Sequence, residues 1–542
     1  MARFTLTQAA AAATFTAALA ACNGVQPPAP KTFDVTQLEF RDENGNPTSS
    51  SAVSQIASFR AVFSDNVKAN TLTNSNITLS KVGSNTNISL AINGANFSNS
   101  ASIASVNEVL QLNTQYRLTF SEGIESESGA KLNSKSYTFT VTRAAPTGGK
   151  YQRFNLANVT NPTSIALLND TTLLVAELDF GTTGQTPGSR VRRLNLTSSG
   201  NTVTAADAGI VKALPGRSVT GITTRNGNEL WISHAQINPT YQANTNIGAY
   251  TSAVMRCSGA NLANCTDVIT GLPRSAELHQ TNGLFFKPGT NLLFIAQGGN
   301  TNYGAPSGSF GNRGEVLMSG AILVADVSKI GSGINVQPKV EGGTTYEITN
   351  NTLLGNPSDS LPVRVYATGL RNPYDLVWTT AGKLFATDNG GNVGFGTTPA
   401  CGGAPAYDPG NSDDELNDIQ LGGYYGHPNP ARGQCIYEGG PGHFGPVVKT
   451  GLNYGSDGIT EYTGPFLGTN VQPGDLLYVN YAQGDNLYRW RPSNPGEPPQ
   501  VIVAQLVNPL DVVNDSRGTI FVVEFGSPFD KSQPARVSYL RP

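Results

Sequence analysis

Only four histidines occur in the 542 residues, His234, His279, His427 and His443. His279 directly precedes Gln280-Thr281-Asn282-Gly283-Leu284-Phe285, where a polar loop passes into an apolar run. An imidazole at such a place accepts a proton near neutral pH, as a general base must. Arg371 and Asn372 stand in the same relation to Pro373-Tyr374-Asp375-Leu376. The run DPGNSDDELND at 408–418 clusters carboxylates without the ligand spacing of an EF-hand; it reads either as a Ca²⁺ loop or as a packed structural one. Four cysteines fall as two local pairs, Cys257 with Cys265 and Cys401 with Cys435. With no Cys-x-x-Cys or Cys-His spacing for a metal, they read as two disulfides of an exported chain.

Export itself is read from the first residues. Arg3 is followed by an Ala-rich apolar stretch and then Leu19-Ala20-Ala21-Cys22, the small-residue pattern of a lipoprotein signal. Residues 1–21 would be removed and Cys22 lipidated, giving a protein anchored in the bacterial cell envelope, periplasmic or surface-exposed. The lipid would be its only membrane contact, because no later apolar run reaches spanning length. Residues 22–32, rich in Pro, read as an extended tether. The charge balance is near neutral, with 35 Lys and Arg against 38 Asp and Glu. That field does not concentrate polyanions, so nucleic acid is excluded as a partner.

The elements that must position these residues are strands. Gly (60) and Pro (33) are abundant, and apolar runs are short and separated by turn residues, a mostly-β composition. Residues 33–143 alternate polar and apolar, as in Phe59-Arg60-Ala61-Val62-Phe63 and Tyr137-Thr138-Phe139-Thr140-Val141, which predicts a β-sandwich. From 150 to 542 a unit of strand, turn and strand recurs. It is seen at Asn161–Ala176, Val219–Ile232, Thr281–Ile295, Asn372–Ala386, Asp475–Val479 and Asn508–Val522. Six copies, each too small to bury its own faces, predict an all-β, six-bladed propeller. Arg536–Leu540 is the candidate to pair with Tyr151–Phe154 and close the ring. In that architecture the loops entering the innermost strands share one mouth of the channel, and His279, Arg371 and Asn372 lie on such loops.

Two resemblances add to this reading. Residues 33–143, with FSDNVKANTLTNSNITL, LNTQYRLTFSEGIESESGAKL and YTFTV, resemble the bacterial Ig-like domains of S-layer and other surface proteins, which implies a spacer or a cell-wall or S-layer contact. The propeller carries Gly369-Leu370-Arg371-Asn372-Pro373, Gly382–Gly390, Asp413-Asp414-Glu415-Leu416-Asn417 and Gly422-Gly423-Tyr424-Tyr425-Gly426-His427-Pro428 in order. It resembles the soluble glucose/sorbosone dehydrogenases, quinoproteins that use pyrroloquinoline quinone (PQQ) and Ca²⁺. The resemblance implies that His279 is the general base, Arg371 a catalytic and cofactor contact and Asn372 a cofactor contact. It also implies that carbonyls around Gly390 and Gly391 hold Ca²⁺.

The pattern departs at four positions. The family's cofactor lysine falls on Gln483, its arginine pair before the last innermost strand falls on Asn508 and Leu510, and an aspartate falls on Gly298. Two functions follow. One is a PQQ-dependent oxidoreductase acting on a small sugar or polyol, with hydride passing to the quinone. The other is a cofactor-less propeller serving as an envelope carbohydrate-binding or protein-interaction module.

Overall fold

The computed structural model describes residues 32–542 except 42–46, 56–57, 85, 89, 95–97, 106–109, 144–150, 182–185, 239–242, 342–343, 347–360, 441, 482–484, 505 and 527–533. The export signal, Cys22, most of the tether and Gln483 lie outside the described residues. Strands make up nearly all regular structure there, joined by a few one-turn 3₁₀ segments. No helix among the described residues is long and apolar enough to cross a membrane.

Alternation in the N-terminal segment does what its period dictates. Two five-stranded sheets form, one built on Val35–Arg41, Ser58–Val67 and Ser98–Ser105, the other on Ile77–Lys81, Gln115–Phe120 and Lys135–Arg143. Their inward residues, among them Phe59, Phe63, Leu79, Leu118, Phe120 and Phe139, make one closed core.

From residue 151 onward six sheets of four or five strands form, beside a two-stranded ribbon of Lys339–Glu341 and Thr344–Tyr346, and the innermost strands of the six are Pro162–Asn169, Arg217–Arg225, Thr281–Phe286, Pro373–Trp378, Ser456–Glu461 and Pro509–Asn514. Each packs against the next, and the last packs against the first. They are numbered blades 1 to 6 in that order. The second strand of each blade lies between neighbouring sheets, so it is apolar on both faces and does not alternate: Leu292–Gln297, Leu476–Asn480 and Ile520–Glu524 are buried almost throughout. Closure is by strand exchange between the two ends of the domain. Gln152–Asn158 pairs antiparallel with Arg536–Arg541, which pairs with Ile520–Glu524. This extends the expected Tyr151–Phe154 pairing by several residues.

One correction to the repeat reading emerges. The fifth copy is expected at Asp475–Val479, but Leu476–Asn480 is the second strand of blade 5, and the innermost is Ser456–Glu461. Its sequence, Ser-Asp-Gly-Ile-Thr-Glu, holds a single aliphatic residue and so lacks the apolar run by which the other copies are recognised.

The innermost strands are stitched at one repeat position, held by Ser164, Gly221, Gly283, Asp375, Gly458 and Asp511. The Asp511 carboxylate on blade 6 accepts from Ser164 Oγ (2.7 Å) and Ile165 N (2.9 Å) on blade 1. Ser164 Oγ in turn accepts from Ile222 N on blade 2 (3.1 Å), and Asp375 on blade 4 accepts from Ile459 N on blade 5 (3.1 Å). The glycines make room for these side chains. A Cβ on Gly283 would lie 2.2 Å from Asp375 Oδ1, and one on Gly458 would lie 2.5 Å from Asp511 Oδ1.

Candidate functional site

At the end of the channel where the innermost strands begin, a cavity of about 500 Å³ is lined from all six blades. Its floor includes Tyr374, whose hydroxyl crosses from blade 4 to donate to the Thr163 carbonyl on blade 1 (3.1 Å). Beyond it a second cavity of about 410 Å³ occupies the far half of the channel.

His279 lines the mouth and is only 7% exposed. Its Nδ1 lies 3.0 Å from the Gly299 carbonyl. A carbonyl only accepts, so Nδ1 carries the hydrogen and Nε2 keeps its lone pair. No hydrogen bond occupies Nε2 among the described residues. Burial, and then the charge of Arg371, hold the imidazole well below its usual pKa, so the ring is neutral at physiological pH. The loop that presents it, residues 275–279, is held by Arg274, whose guanidinium donates to the carbonyls of Gln236, Ser275, Glu277 and His279.

Arg371 enters from blade 4. Asp388 fixes its backbone, one carboxylate oxygen accepting from Arg371 N (2.9 Å) and the other from Asn372 N (2.7 Å). Nε and Nη2 donate to Asn302 Oδ1 (3.2 and 3.0 Å), and Nη1 donates to the Asn389 carbonyl (3.2 Å). Of five N–H groups two remain, on a side chain that lines the cavity. Phe310 brings the two groups together. Its ring centroid is 5.3 Å from that of His279 and 5.8 Å from the Arg371 guanidinium carbon. Asn372 lines the same wall, its Oδ1 accepting from Asn282 Nδ2 (3.1 Å).

The remaining expected site residues are placed as follows. Gly390 lines the mouth, with its N–H donating to Asp414 Oδ1. The Gly391 carbonyl accepts from Ser412 N (3.0 Å). Within the acidic run, Asp413–Asp418 is the third strand of blade 4. Its Asp414 accepts from Gly390, Gly455 and Ser456 amides. No group of three or more His, Cys, Asp or Glu suited to a metal occurs among the described residues. Asn508 does not line the cavity; it adopts φ +49 and its Nδ2 donates to the Gly526 carbonyl (3.0 Å), a fold-holding position. Leu510 does line it. Gly298 is where it is because the chains converge: an added Cβ would lie 2.8 Å from Asn372 Oδ1 and 2.9 Å from His279 Cβ. Both expected disulfides are formed, Cys257–Cys265 and Cys401–Cys435.

Sequence reading missed three features of the site. Phe310 has no motif. Glu315 is a buried anchor for the loop behind the site. It accepts from the amides of Asn300 and Thr301, from the Thr301 and Ser319 hydroxyls and from His427 Nε2. Although burial pushes its carboxyl up, these donors, His427 foremost, bring it down to about 2. Asp457, 3% exposed, belongs to the blade 5 strand that the repeat pattern overlooked.

The donor set answers whether a tricarboxylate such as PQQ suits the cavity. Among the described lining residues the cations are Arg274, whose Nε and Nη1 serve four carbonyls, and Arg371. Glu277, Asp414 and Asp457 line the same space, each with its carboxyl raised, foremost by burial. Three further carboxylates would be desolvated beside acids and, among the described residues, without cationic partners on blades 5 and 6. The residues present do not fit that group.

Residues 42–141 match the family model described as a bacterial Ig-like domain. No curated relative matches the chain. Among solved structures, the chain is similar to a putative oxidoreductase (glucose dehydrogenase) from Thermus thermophilus. That match has 18% identity and TM-score 0.46, and covers 72% of this chain and all of that one. It is similar also to the PQQ-bound aldose sugar dehydrogenase of Streptomyces coelicolor, at 18% identity, TM-score 0.45, and 73% and 99% coverage. A third is the PQQ domain of pyranose dehydrogenase from Coprinopsis cinerea, at 12% identity, TM-score 0.47, and 73% and 96% coverage.

Proposed function

We propose that the propeller mouth binds a sugar or polyol, taking one hydroxyl between His279 and Arg371, and that the protein displays this site in the cell envelope on a Cys22 lipid anchor with the Ig-like domain as spacer. The observation that carries the reading is the state of His279: a neutral, buried imidazole on the cavity lining, with its tautomer fixed by Gly299 and its Nε2 lone pair without a donor among the described residues. A ligand O–H donates to Nε2, and the free N–H groups of Arg371 donate to the same oxygen. Asn389, whose Oδ1 is buried without a partner, offers a further acceptor. Hydrophobic walls from Leu178, Phe180, Phe310, Phe395 and Phe525 complete a cavity suited to a ring with apolar faces and polar edges.

A second reading, dehydrogenation of that hydroxyl, is favoured by the same pair. An acceptor imidazole and a donor guanidinium on one oxygen are what proton removal from an alcohol requires. It needs a hydride acceptor that the described donor set does not supply with anchors. The two readings separate in one experiment: titration of the purified protein with a neutral sugar panel by calorimetry, then with PQQ and Ca²⁺ followed by dye reduction. Sugar binding without cofactor binding at tens of micromolar supports the first. Dye reduction dependent on PQQ establishes the second, and binding of neither overturns both.

A further inference from the structure

The mouth holds a buried carboxyl with half its hydrogen-bonding capacity unused. Asp457 is the second residue of the innermost strand of blade 5 and is 3% exposed. Its Oδ1 accepts from Asn389 Nδ2 (3.1 Å). Its Oδ2 has no donor among the described residues, yet the side chain lines the cavity. The other two carboxylates of the mouth differ. Asp414 has both oxygens engaged by the amides of Gly390, Gly455 and Ser456. Glu277 has Oε2 on the Leu278 amide and is the less buried.

Among the described residues no cation compensates Asp457. Burial raises its carboxyl well above the usual range, Asn389 lowers it in part, and the charged groups that act on it are Asp414 and Asp511, both acidic. Arg371 is directed toward Asn302 and the Asn389 carbonyl and sits against Asp388. The same lining holds a second group without a partner among the described residues, His279 Nε2. A buried imidazole acceptor and a buried carboxyl without a counter-charge among the described residues therefore line one cavity, and burial favours the protonated form of that carboxyl until a cation pairs with it.

We infer that the mouth prefers a sugar bearing a protonated amine, with Asp457 as the counter-ion of the ammonium and His279 as the acceptor for a hydroxyl. The inference rests on the sugar-binding reading and names its substrate class. An ammonium supplies the donor that Oδ2 lacks and the positive charge that the acidic neighbours call for; a neutral hydroxyl supplies only the donor. An N-acetylated amine keeps the shape but loses the charge.

The test uses the purified full chain and three probes, D-glucosamine, D-glucose and N-acetyl-D-glucosamine, with dissociation constants from calorimetry at near-neutral pH. Glucosamine is expected to bind at least about tenfold more tightly than either neutral sugar. D457N should bring the three to equal affinity while keeping its melting temperature, since the amide oxygen still accepts from Asn389 Nδ2. D457S serves as the second variant. Equal affinity of wild-type protein for glucosamine and glucose overturns the inference and leaves the sugar-binding reading standing. So does a preference that survives in D457N. If none of the three probes binds, the inference and the reading beneath it both fall.

Discussion

His279 illustrates how a site residue's state follows from its neighbours: one carbonyl fixes the proton on Nδ1, and burial beside Arg371 keeps the ring uncharged. The acids behind it behave in the opposite sense. Burial raises Glu415 to about 8, with Asp388 adding to it, and raises Asp388 to about 7 and Asp511 to about 6. A carboxyl whose folded pKa exceeds its unfolded value contributes stability below that unfolded value, near 4, and loses it as pH rises through the folded one. His279, with a depressed pKa, contributes stability above about 6.5 and loses it on further acidification. The melting temperature is therefore expected to climb as pH falls from about 9 to about 6.5 and to climb more slowly below that, where His279 opposes the three carboxyls. Glu415→Gln should raise it at about pH 9 and flatten the slope; an unchanged slope by scanning calorimetry contradicts the assignment. His279, Arg371 and Asn372 were legible in the sequence because each stands at a fixed offset before an apolar strand. Asp457 was not, since its strand has only Ile459 as an aliphatic residue, and Phe310 was not, since it lies in the irregular loop 299–320.

At the scale of the strand, the propeller depends on close approach between neighbouring blades. Gly283 and Gly458 face the Asp375 and Asp511 side chains at distances that leave no room for a methyl group. Gly283→Ala and Gly458→Ala are each expected to cost about 1–3 kcal/mol by overpacking, measured by denaturant unfolding. Gly382→Ala, whose Cβ would meet nothing within 4 Å, is a control for the positive φ of +76 alone. A cost at Gly283 no greater than that of the control contradicts the stitching described above. The apolar second strands were readable as a repeat because burial on both faces leaves continuous runs such as Leu-Leu-Phe-Ile-Ala. The stitching was not readable, because Ser164, Asp375 and Asp511 look like ordinary turn residues until the blades are set side by side.

For the whole molecule, closure is the point of greatest leverage. Glu524, fully buried, accepts from Arg536 (Nε 3.0 Å and Nη2 3.1 Å) on the C-terminal strand and from Arg153 (3.3 Å) on the strand that opens the propeller, as well as from Val507 N (2.8 Å) and the Ser538 hydroxyl. Glu524→Ala removes the buried carboxylate that joins the two terminal strands and is expected to cost about 3–5 kcal/mol. Increased proteolysis at the two ends of the domain would report the opened seam, and unchanged protection would contradict it. The ring's order and closure were legible from the count of copies and from the apolar terminal strand; which residues seal it was not. Function rests on the mouth, and the affinity of wild-type protein and of His279→Ala for a sugar, by calorimetry, tests it most directly. Binding by the wild type that weakens about tenfold or more in His279→Ala, with the melting temperature of the variant unchanged, is the predicted result. Equal affinity of the two proteins would contradict it.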